Sequence, residues 1–210
     1  MGHHLAFIAL LTMLGAAAPI DAADPFDHSL AQNTSTEPAP PIDQRAADER
    51  PRHPFTKESW TFQLYGSGVT MDEDHGYIST AHLGFGYHLE DHFSINLEGI
   101  GGWVDSKTDD DGGVGGFDLL LRDHLFHDDD HNWTLYIDGG AGFQQATTNF
   151  PSDSHHNFRL MAGIGGTLRL ADRLRLMGGA RYMHISNAST SDRNDGGDWA
   201  QLYLGAMLTF

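Results

Sequence analysis

The chain has 210 residues, 29 acidic against 12 basic, a formal charge of -17 and no cysteine. So acidic a chain lacks the basic surface that phosphate backbones require, which argues against nucleic acid as a partner. Without cysteine there is neither a disulfide framework nor a lipid-anchored cysteine, and the length suits one domain of ordinary size.

The first element is the apolar run Leu5 to Ala18 (LAFIALLTMLGAAA), of signal-peptide length and too short for a spanning helix. Residues 1–22 are therefore expected to be a secretory signal cleaved after Ala18 or Ala22, with His3 and His4 where Lys or Arg is usual. Residues 23–56 are rich in Ala, Pro, Asp, Ser and Thr without periodicity, and read as a disordered leader or linker.

From residue 57 to 210 strand patterns recur. Eight strands are predicted: Trp60–Val69, Gly76–Leu89, Phe93–Val104, Val114–Phe126, Trp133–Ala146, Asn157–Leu170, Leu174–Ser186 and Asp198–Phe210. Side chains alternate with period two, so each strand carries two faces. Trp133, Leu135, Ile137 and Phe143 face one way; Thr134, Tyr136, Asp138 and Gln144 face the other. One face is apolar with aromatics near its ends. The other is small and polar, and it holds Glu98, Asp118, Asp138, Arg122, Arg159, Arg175 and Arg181, with His82 and His88 in the same phase.

Two closed structures use such strands: a soluble lipocalin-like barrel with the apolar face inside, and a membrane barrel with it outside. The membrane form is favoured. The strands are long enough to cross a bilayer when tilted, the mixed charges suit a narrow packed lumen, and the last strand ends on Phe210. Connections also alternate, with short turns (EDH, HDDDHN, ADR) between longer polar loops, as outer-membrane barrels show. The expected fold is all-β, an eight-stranded antiparallel transmembrane β-barrel of the outer-membrane type. Its loop Asn187–Gly197 then lies outside.

The last two strands carry the candidate chemistry. Leu174, Leu176, Gly178, Ala180, Tyr182, His184 and Ser186 share one face; Asp198, Ala200, Leu202, Leu204, Ala206, Leu208 and Phe210 share another. Each set is apolar except at the end nearest the loop. There stand a serine, a histidine and an aspartate, the components of a hydrolytic triad. Residues two apart on a strand are about 6 to 7 Å apart, close enough for an imidazole to reach a hydroxyl. Ser186 is the candidate nucleophile, His184 its base and Asp198 the group that orients the imidazole. Asn187, with backbone N–H groups of the Asn187–Ala188 turn, is the candidate oxyanion hole, and Asn194 a second contributor. A triad on the oily exterior of a barrel makes sense if the substrate is a lipid.

Metal ligation is weighed and set aside. His127, His131, His155 and His156 are ligand types, but their spacing matches no paired motif, and solvated turns are expected. The glycine pairs follow no nucleotide-binding pattern. No metal or organic cofactor is needed by the chemistry.

The segment RYMHISNAS, then NDGGDW and a final strand ending in an aromatic residue, resembles the PagL-type lipid A 3-O-deacylases. The resemblance implies an eight-stranded outer-membrane barrel with a Ser-His-Glu triad on its lipid-exposed surface near the outer rim. It implies His184 as base, Ser186 as nucleophile and Asn187 as an oxyanion contributor. The family's acidic member falls 14 residues after its histidine, at Asp198, where Glu is usual. Ser189 stands where Gly is common. The implied reaction is hydrolysis of an acyl ester of lipid A, without cofactor, by an integral protein of the bacterial outer membrane. The implied partners are lipopolysaccharide and the membrane; a homodimer is left open. Divalent cations are expected to bridge the anionic lipid to the acidic loops Asp72-Glu73-Asp74 and Asp109-Asp110-Asp111. The competing reading is a non-catalytic structural or adhesive barrel, which accounts for everything except the shared phase of His184, Ser186 and Asp198.

Overall fold

A computed structural model describes residues 53–70, 77–105, 110–151, 154–190 and 196–210. The expected signal and most of the leader lie outside the described residues, as do Asp72-Glu73-Asp74, Asp109 and Asn194. Eight strands follow one another: β1 (Trp60–Thr70), β2 (Tyr77–Glu90), β3 (Phe93–Asp105), β4 (Gly112–His127), β5 (Trp133–Ala146), β6 (His156–Arg169), β7 (Leu174–Ser186) and β8 (Gly197–Thr209). Each pairs antiparallel with the next, and β8 pairs back on β1 from Thr61↔Thr209 to Thr70↔Ala200, closing the barrel. Closure leaves no unpaired backbone edge, the condition for strands to cross lipid.

The alternation seen in the sequence sets the two walls. Outward positions carry Leu83, Phe85, Leu97, Leu119, Leu135, Ile164, Leu202 and Leu204, all exposed. On a water-soluble protein so continuous an apolar surface would drive association; around a barrel it is the belt that faces acyl chains. Trp60, Phe126, Trp133 and Phe210 stand exposed at the short-turn end, and Tyr77, Trp103, Phe158 and Tyr182 toward the long-loop end, as two aromatic girdles.

The lumen is filled in three layers. The long-loop end holds an apolar cluster that includes Val69, Ile78, Val104, Val114, Met183, Ile185 and Trp199. The middle holds paired charges. Asp138 joins Arg122 at 2.9 Å and Arg181 at 2.8 Å; Glu98 lies 3.3 Å from Arg181, and Arg159 3.5 Å from Asp118. Arg181 also donates to the Tyr65 hydroxyl at 2.8 Å, and that hydroxyl donates to Glu98. Gly165 and Gly179 leave the space for the Tyr136–Tyr203 hydroxyl pair, since a Cβ on either would lie 2.5 Å from a tyrosine ring or hydroxyl atom. The short-turn end is closed by Phe55 with Tyr65, Met177, Tyr203 and Met207. Phe55 belongs to the stretch read from composition as leader, yet it is fully buried, stacked on His124 at 4.0 Å and capped by the Arg175 guanidinium. Residues 53–56 are thus part of the barrel's packing; one aromatic side chain outweighs the polar character around it.

Candidate active site

The site forms where β7 and β8 leave the apolar belt. Inward residues alternate with outward ones, so buried Met183, Ile185 and Trp199 anchor the backbone that presents His184, Ser186 and Asp198 to the outside. Trp199 is held further by Phe150, ring centroids 5.8 Å apart, and the Phe150 carbonyl accepts from the Asn157 side chain. The site therefore rests on packed strand ends rather than on a loop.

His184 and Asp198 are direct cross-strand partners. The Asp198 carboxylate meets His184 Nδ1 at 2.7 Å, with the side chains 41% and 50% exposed. An ionised carboxylate only accepts, so Nδ1 donates and Nε2 is the basic nitrogen. The geometry around Gly196 shows where Nε2 points. A Cβ placed on Gly196 would lie 2.9 Å from Ser186 Cβ and 3.3 Å from His184 Nε2. The nitrogen opposite the carboxylate thus opens onto the same small space as the serine side chain. No hydrogen bond joins the Ser186 hydroxyl to His184 in this arrangement. Such contacts are commonly long before substrate binds.

Asn187 is buried, and its side-chain Oδ1 accepts from the Ser189 N–H at 2.8 Å. Its carbonyl accepts from the Thr190 N–H and hydroxyl, so Asn187 closes the turn that follows the serine. Ala188 and Ser189 have φ of 52° and 63° in that turn. Glycine adopts this left-handed conformation freely, which explains why Gly suits the Ser189 position.

Gly196 is the residue that reading the sequence for chemistry missed. In the sequence it stands only within NDGGDW, because a residue without a side chain gives no chemical signal. Gly196→Ala is expected to lower activity at least a hundredfold while the barrel stays folded, because the new methyl occupies the space between serine and imidazole and also meets the Ile185 carbonyl at 2.9 Å. Turnover and heat-modifiable gel migration of the same preparation check both parts.

In the lumen, His82, Glu98 and Asp118 bring ligand-type atoms within 4.8 Å of one another. The three carboxylates Glu98, Asp118 and Asp138 there face the three guanidinium groups Arg122, Arg159 and Arg181. A cation added to this balanced set would bring uncompensated buried charge, so the cluster reads as packing.

The closed barrel, its apolar belt and its girdles define an integral protein of the bacterial outer membrane, with a polar group displayed on the lipid-facing wall. The family follows from comparison: a model described as Lipid A 3-O-deacylase (PagL) matches residues 47–206, and the chain belongs to that family of outer-membrane lipid A deacylases. Among solved structures, the outer membrane enzyme PagL is 14% identical, with 70% of this chain and 98% of that chain covered at a TM-score of 0.54. Neisserial surface protein A is 11% identical, with 72% and 96% covered and a TM-score of 0.54. The N-terminal β-barrel domain of Pseudomonas aeruginosa OprF is 17% identical, with 73% and 98% covered and a TM-score of 0.52. At these identities the likeness concerns the fold. A search of curated proteins finds no match.

Proposed function

We propose that the protein hydrolyses the ester-linked acyl chain at the 3-O position of lipid A, with Ser186 as nucleophile, His184 as general base and Asp198 as its orienting carboxylate. One observation carries this reading: Asp198 holds Nδ1 of His184 while Nε2 and the Ser186 side chain both border the space beside Gly196, on the lipid-facing wall. His184 takes the proton from the Ser186 hydroxyl as its oxygen attacks the ester carbonyl. The tetrahedral oxyanion is held by N–H donors of the Asn187–Ala188 turn, whose shape the Asn187 side chain maintains. His184 returns the proton to the sugar oxygen as the C–O bond breaks, leaving an acyl-serine. Water, deprotonated by His184, then releases the fatty acid. Asn194 is proposed as a further donor. The exposed site at the strand ends suits a substrate whose sugar lies at the headgroup level and whose chains lie along the belt.

Asp198 supports the reading through a pair of variants. Asp198→Asn is expected to lower the rate by about four orders of magnitude, because an amide can stabilise the wrong imidazole tautomer and not the imidazolium. Asp198→Glu, the acid usual in the family, is expected to stay within about tenfold of the parent. Release of fatty acid from purified lipid A in detergent measures both.

The direct test of the nucleophile is labelling of the folded protein with a fluorophosphonate probe, which reacts with an activated serine. Adduct on the peptide containing Ser186, and none in Ser186→Ala, supports the proposal. Adduct on another serine, or equal labelling of the variant, overturns it.

A further inference from the structure

At the end of the barrel remote from Ser186, four histidine rings from three stretches of chain pack together. His53 precedes β1, His92 lies in the β2–β3 turn, and His127 and His131 flank the turn after β4. His92 and His131 share a hydrogen bond, Nε2 to Nε2 at 3.1 Å, one ring donating and the other accepting. His53 stacks on both, with centroids 4.7 and 4.4 Å away, and His127 stacks on both at 4.6 and 4.1 Å. One ring nitrogen from each of His53, His92 and His131 lies within 4.8 Å of the other two. His53 Nδ1 is buried and has no hydrogen-bond partner among the described residues. His92 and His131 also hold left-handed backbone, φ 69° and 52°, a conformation that glycine or asparagine takes more easily. Neither the acyl-ester chemistry nor closure of the barrel calls for this arrangement.

We infer that His53, His92 and His131 form a site for a divalent transition-metal ion of the zinc type, with His127 beside them as a fourth imidazole. The donor set selects the class of ion. Imidazole nitrogen suits zinc, nickel and copper, whereas magnesium and calcium take oxygen ligands. Zinc holds ring nitrogens at about 2.0 to 2.1 Å, which separates two ligands of a tetrahedral site by about 3.3 Å. The 3.1 Å between His92 and His131 is within a few tenths of that spacing. His53 lies parallel to His92 and His131, with interplanar angles of 3° and 6°, so its ring turns about a broad side-chain torsion to aim a lone pair at a shared ion. Asp91, which accepts from the Lys57 N–H, and Asp128, which accepts from Asn132 and the Trp133 N–H, add negative charge nearby. The ion ties the segment before β1 to two turns, over the mouth that Phe55 plugs. Its role is to clamp chain segments far from the ester-cleaving site, and it stands independently of the proposed hydrolysis.

The sequence offered no paired spacing because the ligands come from three segments separated by dozens of residues. The test uses the folded full chain in detergent, stripped by chelator and titrated with Zn²⁺ by calorimetry, with bound metal counted after desalting. One equivalent per chain is expected, with affinity at least tenfold weaker in His92→Asn or His131→Asn and at least a hundredfold weaker in the double variant. Asparagine tolerates positive φ, so these variants keep the turns, and heat-modifiable migration verifies that each barrel is closed. His155→Asn/His156→Asn, at the long-loop end, is expected to bind like the parent. Less than a tenth of an equivalent bound by the parent, or equal affinity in parent and His92→Asn/His131→Asn, overturns the inference.

Discussion

Ser186→Ala is expected to lower the rate of lipid A deacylation by at least about three orders of magnitude, toward the residual level left when a hydrolytic serine is removed. The barrel has no reason to suffer, because Ser186 is part-exposed at a strand end and its hydroxyl makes no bond to His184 that would be lost. The proposed chemistry, by contrast, loses its only route through an acyl-serine. His184→Ala is expected to be nearly as severe, and the double variant scarcely worse than either single one, since in the proposed mechanism the two groups act as a unit. A rate within tenfold of the parent in Ser186→Ala, measured as fatty acid released per folded protein, would remove serine catalysis from the account.

Asp138→Ala is expected to destabilise the barrel by about 3 to 5 kcal/mol, the usual result of removing one partner from a buried ion pair. Asp138 is the carboxylate shared by Arg122 and Arg181, and all three side chains are essentially inaccessible. Its loss leaves two guanidinium groups in the lumen with Glu98 as the near carboxylate, 3.3 Å from Arg181 and 3.9 Å from Arg122. Their positions are further fixed by stacking on Tyr203 and Tyr136, so they cannot swing out to water. Urea unfolding in detergent micelles, followed by the loss of heat-modifiable migration, measures the change. A shift below about 1 kcal/mol, the worth of an exposed pair, would mean that water reaches these charges and the lumen is not the packed core described.

The strands were legible to within two residues at every boundary, because a wall with lipid on one side and a packed lumen on the other enforces strict alternation. The inward phase of Glu98, Asp118, Arg122, Asp138, Arg159, Arg175 and Arg181 followed from the same period, and all seven are buried. The meeting of His184 with Asp198 was legible for a related reason: a hairpin joins β7 to β8, and polar residues at facing strand ends become neighbours once the register is set. Contacts that depend on the third dimension were not legible. Gly196 matters for the space it leaves. That Asn187 is buried and that its Oδ1 accepts from the Ser189 N–H, shaping the turn after the serine, was likewise not legible. Phe55 sits in a stretch whose composition suggests an unfolded leader, and only closure of the barrel creates the hole it fills. The histidines at 53, 92 and 131 come together because the segment before β1 and the short turns of two hairpins share one end of the cylinder.

The most direct test of the central claim is mass spectrometry of lipid A from cells that express the parent chain, Ser186→Ala or no added protein. The account predicts lipid A lighter by one 3-O-linked acyl chain with the parent, and an unmodified profile with Ser186→Ala at equal outer-membrane abundance. Identical profiles in all three, or the same loss of a chain with Ser186→Ala as with the parent, would contradict it.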